Sequence, residues 1–170
     1  MNKDSLRGIM EGLRMHVGVS LRAVAAIPPA KLDSNPVANM RTPKELAVHA
    51  FAYMRGIPKG ILKGKLTAEE CVEPFDQIKS LDQLLTWCQE SWNSMEADFE
   101  KFTDAQLAAM VETYWGPTFP GYVLIPIVYD EHLHHRGQLY TYLRSMGAEP
   151  PFLWSFEENA PAYQPKAMKA

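Results

Sequence analysis

Cysteine is scarce: Cys71 and Cys88 are the only two in 170 residues, and neither belongs to a C-x-x-C pair. That excludes a disulfide-scaffolded secreted module and the thiolate zinc and redox motifs, so a reduced, cytoplasmic setting is the expectation. Long apolar runs are missing as well. The longest candidate, 122–129, is interrupted by Pro126 and falls far short of the roughly 18 apolar residues that cross a bilayer, so no membrane partner is expected. The opening stretch, MNKDSLRGIMEGLRMH, mixes both charge signs and has neither the apolar block nor the small-residue cleavage site of a secretory leader. There is no basic excess: 17 Lys and Arg stand against 20 Asp and Glu, for a net charge of −3. Nothing in that balance is directed at nucleic acid. Internal repeats and low-complexity tracts are also lacking. What remains is a chain of single-domain length, 46% hydrophobic and 11% aromatic, enough for one buried core. One domain over 1–170 is expected, with about 156–170 as a C-terminal tail, ordered at first and frayed at its end.

The apolar residues recur at helical spacing. Leu6, Ile9, Leu13, Val17, Leu21 and Val24 mark one face of a first helix over about 5–24, ended by Ile27-Pro28-Pro29. Thr42-Pro43-Lys44-Glu45 supplies the hydroxyl, the first-turn proline and the N3 glutamate of a capping box. It predicts a second helix from Pro43 to about Tyr53 or Arg55, stopping at Gly56-Ile57-Pro58, with His49 on its apolar stripe. A short helix is expected at Thr67 to Glu70. Ser80 with Gln83 caps a third helix reaching about Phe102, followed by a short helical turn from Thr103 through Met110. The Pro- and Gly-rich stretch from Val111 to Gly121 reads as a loop, with a brief extended piece at Met110 to Tyr114. The last helix runs from Tyr122 or Ile125 to Met146, with Pro126 in its first turn or at a kink, and stops at Gly147. Four long helices without a βαβ rhythm predict an all-α four-helix bundle with long connections.

Three of the five histidines fall in Asp130-Glu131-His132-Leu133-His134-His135-Arg136-Gly137. On a helix, residues four apart differ by about 40° around the axis and residues three apart by about 60°, so Glu131 and His135, or His132 and His135, can converge on one ion. His134 is turned away from His135 by about 100°. A third ligand from a facing helix would complete the site, and His49 is the candidate. Three protein ligands with one open position describe a catalytic metal centre better than a structural one. A lone histidine on an apolar stripe is more often a hydrogen-bonded core residue, and that reading stands beside the metal one for His49. H-E-x-x-H, the P-loop, G-x-G-x-x-G and G-x-S-x-G are all absent, which removes zincin, nucleotide and serine-hydrolase readings. Cys88 reads as packing, and Cys71 lies among acidic residues that give no reason for a depressed pKa.

The segment HLHHRGQLYTYLRSMGAEPP (132–151), with its HHRGQL-x-x-YLR-x-x-G-x-x-PP string, closely resembles the end of the last helix in the DinB-like, or YfiT-like, family. Thr42-Pro43-x-Glu45-Leu46-x-x-His49 resembles the start of that family's second helix. The resemblance implies a four-helix bundle, usually a homodimer, holding a divalent metal through one histidine of the second helix and an H-x-x-x-H pair of the last. Carried over residue by residue, these positions fall on His49, on His135 and, four residues earlier, on Glu131 instead of a histidine. Either the set is His49, Glu131 and His135, or His132 takes the third place. A carboxylate in the set suits Fe, Mn or Ni as well as Zn. The family includes thiol S-transferases that use low-molecular-weight thiols such as bacillithiol or mycothiol, a mycothiol-dependent isomerase, and many stress- or damage-inducible members. The resemblance therefore implies a metal-dependent transferase or hydrolase acting on a small electrophile, with Arg136, Gln138 and Tyr142 around its mouth. The alternative is a non-catalytic dimeric bundle, with Trp115, Phe119, Tyr122, Phe152 and Trp154 as a contact surface or cap.

Overall fold

The computed structural model describes residues 1–165. Within them, four long helices carry the architecture: α1 (Lys3–Ala25), α2 (Pro43–Lys63), α3 (Leu81–Lys101) and α5 (Gly121–Ser145), with the short α4 (Asp104–Ala108) preceding the last. All but α5 start at a side-chain cap. Asn2 accepts from the Ser5 amide, Ser80 from Gln83, and Thr42 and Glu45 form the reciprocal capping box. Helix α2 packs against α3 and α5, and α1 against the same two, so α1 and α2 face each other across the diagonal of a four-helix bundle. Leu13, Phe51, Met54, Leu84, Trp92 and Leu143 fill its centre.

Helix α2 does not stop at Gly56-Ile57-Pro58 but continues for two more turns. An interior proline costs about 3 kcal/mol. Met54, Ile57 and Ile61 are almost wholly buried, and each contributes about 1.5–3 kcal/mol, so packing outweighs the local penalty. Gly56 has a steric purpose: a Cβ there would lie 2.9 Å from the Glu70 carbonyl oxygen and overlap the Cys71 sulfur. The chain leaves the helix at Gly64, whose φ of +76° is a left-handed cap.

The connections hold structure that periodicity did not reveal. β1 (Lys65–Leu66) pairs in parallel with β2 (Met110–Thr113), which pairs antiparallel with β3 (Thr118–Pro120). Thus Met110 to Thr113 is extended as expected, whereas the supposed loop after it is a hairpin returning to the start of α5. Strands this short show no measurable alternation, and the β1–β2 pairing joins segments distant in sequence. The expected short helix near Thr67 is a 3-10 turn, Ala68–Cys71. Helix α5 begins at Gly121, which places Pro126 in its second turn instead of its first.

The segment after α5 wraps along α1. Arg22 donates to the Ser155 carbonyl and Asn159 and pairs with Glu158, and Arg14 donates to the carbonyls of Ala162 and Gln164. Of the tail expected over about 156–170, residues up to 165 are ordered in this wrap, and the end on which fraying was expected lies outside the described residues. No helix among the described residues is long and apolar enough to cross a membrane.

Two histidines belong to this interior. His132 is 1% exposed, and burial pushes its pKa from the ordinary 6.5 down to about 3; His16, on α1, falls to about 4 through burial and the charge of Arg136. Below pH 6.5 the unfolded chain takes up protons on both while the folded chain leaves them neutral. Stability therefore falls with falling pH, by up to about 1.4 kcal/mol per pH unit for each histidine. Denaturant titrations between pH 6.5 and about 5 are expected to show this slope, reduced in His16→Gln by one histidine's share; an unchanged slope would contradict it.

Candidate functional site

Helices α2 and α5 run side by side and meet at His49 and His135. On α5 the buried stripe proceeds Ile125, Val128, His132, His135, Leu139, Tyr142, so two histidines take places that a purely structural helix would give to apolar residues. Glu131 lies one turn before His135 and at the edge of the stripe, its side chain 44% exposed.

The structure brings His49, Glu131 and His135 together, with one potential ligand atom from each all lying within 4.8 Å of one another. The His49 and His135 rings stand edge to face with centroids 4.5 Å apart, and His135 Nε2 is 3.2 Å from Glu131 Oε2. His132 is not part of this group. Its Nδ1–H donates to the Ala50 carbonyl at 3.3 Å, and its Nε2 accepts from the Ser20 hydroxyl at 2.8 Å, so both ring nitrogens are engaged in the core. His134 is exposed and turned away, receiving a bond from Gln138.

Each imidazole of the cluster is oriented by a partner at its other nitrogen. His135 Nδ1–H donates to Gln138 Oε1 at 2.9 Å, which leaves the Nε2 lone pair facing the Glu131 carboxylate. His49 Nδ1 is paired with Glu73, which leaves Nε2 as its free nitrogen. Burial lowers the pKa of His135, with the Gln138 bond opposing it, so the ring is neutral and offers a lone pair at neutral pH. With Nδ1–H given to Gln138, the His135 Nε2 lone pair faces the Glu131 carboxylate at 3.2 Å, an arrangement that a cation would bridge. Two imidazoles and a carboxylate form a donor set suited to first-row divalent metals.

Around the cluster, Tyr53 packs its ring on His49 with centroids 5.6 Å apart and shares a hydroxyl hydrogen bond with Tyr114 on the hairpin. Burial, that bond and the charge of Glu131 all raise the Tyr53 pKa. The Cys71 thiol is pushed up to about 12 by burial and by the charges of Glu70 and Glu73, so it is no thiolate nucleophile. Of the polar residues expected near a mouth, Arg136 turns inward and donates to His16 at 2.9 Å, and Tyr142 is buried with its hydroxyl on the Arg41 carbonyl. Gln138 serves His135 itself.

Glu73 escaped sequence reasoning because no periodicity ties the 72–80 connection to α2. The link is steric: Gly56 allows the Glu70–Cys71 turn to lie against α2, and two residues past Cys71 the Glu73 side chain reaches His49, two helical turns from Gly56. A glutamate shortly after a 3-10 turn carries no signature of its own.

Comparison with known proteins agrees with this architecture. A DinB-like protein from Bacillus subtilis has a crystal structure similar to this chain, with 22% identity, a TM-score of 0.70, and 86% of this chain and 96% of that one covered. A DinB-like protein from Bacillus cereus is similar at 16% identity and a TM-score of 0.70, again covering 86% and 96%. A candidate DinB-family protein from Exiguobacterium sibiricum is similar at 26% identity and a TM-score of 0.58, covering 81% of this chain and 91% of that one. Among curated proteins, none matches. The DinB family model matches residues 1–166, nearly the whole length and both helices that carry the cluster, and the chain belongs to the DinB family.

Proposed function

We propose that this DinB-family chain is a divalent-metal-dependent enzyme that acts on a small electrophile, by transfer of a low-molecular-weight thiol or by hydrolysis, with His49, Glu131 and His135 as its protein ligands. The observation that supports it best is the convergence of three acceptor groups on one point while Glu73 and Gln138 occupy the outward nitrogens of both imidazoles. Structural histidines end in a donor–acceptor pair, as His132 does; these do not.

A divalent ion held there would supply Lewis acidity and lower the pKa of a thiol or water. The chain's own residues do the rest. Glu73 and Gln138 fix ring orientation and tautomer, and Glu131, the most exposed of the three, leaves the cluster open to solvent on one side. Three ligands leave a position for substrate. Zn, Ni, Fe and Mn all suit a two-histidine, one-carboxylate set.

Elemental analysis of protein purified without an affinity tag or chelator tests this reading, comparing wild type with Glu131→Ala and His132→Ala. Near-stoichiometric metal in wild type and in His132→Ala, and its loss in Glu131→Ala, is the expected pattern. Metal kept by Glu131→Ala, or none in the wild type after incubation with Zn, Ni, Mn or Fe, would overturn it. Glu73→Gln is expected to keep the fold and the stoichiometry but weaken affinity about 10–100-fold, because His49 loses the charged partner that orients it. Competition with a chelating indicator dye measures the change, and unaltered affinity would remove Glu73 from the site.

A further inference from the structure

The seam between α2 and α5 continues past the cluster as a groove. A cleft of about 240 Å³ is lined by Met40, Arg41, Leu46, His135, Gln138 and Tyr142. One end is the His135 ring. At the other, the Arg41 carbonyl accepts from the Tyr142 hydroxyl at 3.0 Å, so the backbone just before α2 is anchored to α5. From His135 to Tyr142 is seven residues, two helical turns, or roughly 10 Å along the axis.

The Arg41 side chain is exposed, and its guanidinium has no hydrogen bond or ion pair among the described residues. Glu45, one turn into α2, is occupied with the Thr42 amide at 2.8 Å, and Asp33 with Lys44. An unpaired guanidinium beside the apolar wall of Met40 and Leu46 is open to an anionic group entering the cleft.

We propose that this groove is a substrate subsite for an anionic group, a carboxylate in the first instance, held by Arg41 about two helical turns from the reacting end at the cluster. Substrates would then be small thiols or electrophiles carrying an acid on a spacer of several atoms, lying along the α2–α5 seam. The inference rests on the metal-dependent reading for the reacting end, but not for the groove itself.

The test has two arms. In the metal-free protein, hexanoate and 1-hexanol are titrated against wild type, Arg41→Gln and Arg41→Lys, following the Gln138 side-chain amide by NMR. Hexanoate is expected to bind wild type about tenfold more tightly than hexanol, with the preference abolished in Arg41→Gln and largely kept in Arg41→Lys. In the zinc-loaded protein, calorimetry compares ω-mercaptohexanoate with ω-mercaptohexanol. The acid is expected to bind wild type about tenfold more tightly, and Arg41→Gln to equalise the two without weakening the alcohol. Equal binding of acid and alcohol by wild type, or a preference that survives Arg41→Gln, overturns the subsite. Failure of both thiols to bind the loaded protein while hexanoate still prefers wild type would overturn the metal-dependent reading and leave the groove standing.

Discussion

The pairing of His49 Nδ1 with Glu73 is the contact on which the site depends, because it decides which nitrogen of that ring is bare. In a neutral imidazole whose Nδ1–H is given to a carboxylate, Nε2 is the lone pair. Gln138 does the same for His135 from within α5. With both rings set this way, the Glu131 carboxylate faces ring acceptors, and the three groups form a candidate cation site. The supporting structure follows from this need. The close approach at Gly56 and the 3-10 turn over it bring Glu73 from the connection against the second helix at His49.

The bundle carries a contrasting histidine a few residues away. His132 has the same chemistry as His135 and lies on the same buried stripe, yet its nitrogens are used by Ser20 and Ala50. Burial without a charged partner makes it an uncharged core residue linking α1, α2 and α5. Two histidines three residues apart thus play different parts, set by what the neighbouring helices offer: a hydroxyl and a carbonyl in one direction, a histidine and carboxylates in the other.

The bundle was legible in the sequence where helices are long and locally signalled. The Thr42–Glu45 capping box, the Ser80 cap and the steps of three and four along α1 fix those elements without reference to the rest of the chain. In α2, Gly56 and Pro58 are local stop signals that point to an end two turns too early, and only the burial of Ile57 and Ile61 overrides them. The small sheet was partly hidden, since its parallel pair joins Lys65 to Glu112, with the whole of α3 between them in sequence. At the site, helical spacing narrowed the third partner of His49 and His135 to Glu131 or His132 but left both open. The structure groups Glu131 with the two histidines and bonds His132 to Ser20, a residue on another helix that spacing within α5 does not see. Glu73 and Arg41 were illegible for the same reason: both lie in connections, where position relative to the helices is decided by tertiary contacts.

Anomalous diffraction from a zinc-soaked crystal, recorded at the zinc absorption edge, tests the central arrangement most directly. An ion at about 2.0–2.2 Å from His135 Nε2, His49 Nε2 and a Glu131 oxygen, with the Ser20–His132 and Glu73–His49 bonds intact, is the expected result. An ion bound to His132 with its Ser20 contact broken, or no ion between α2 and α5, would contradict it.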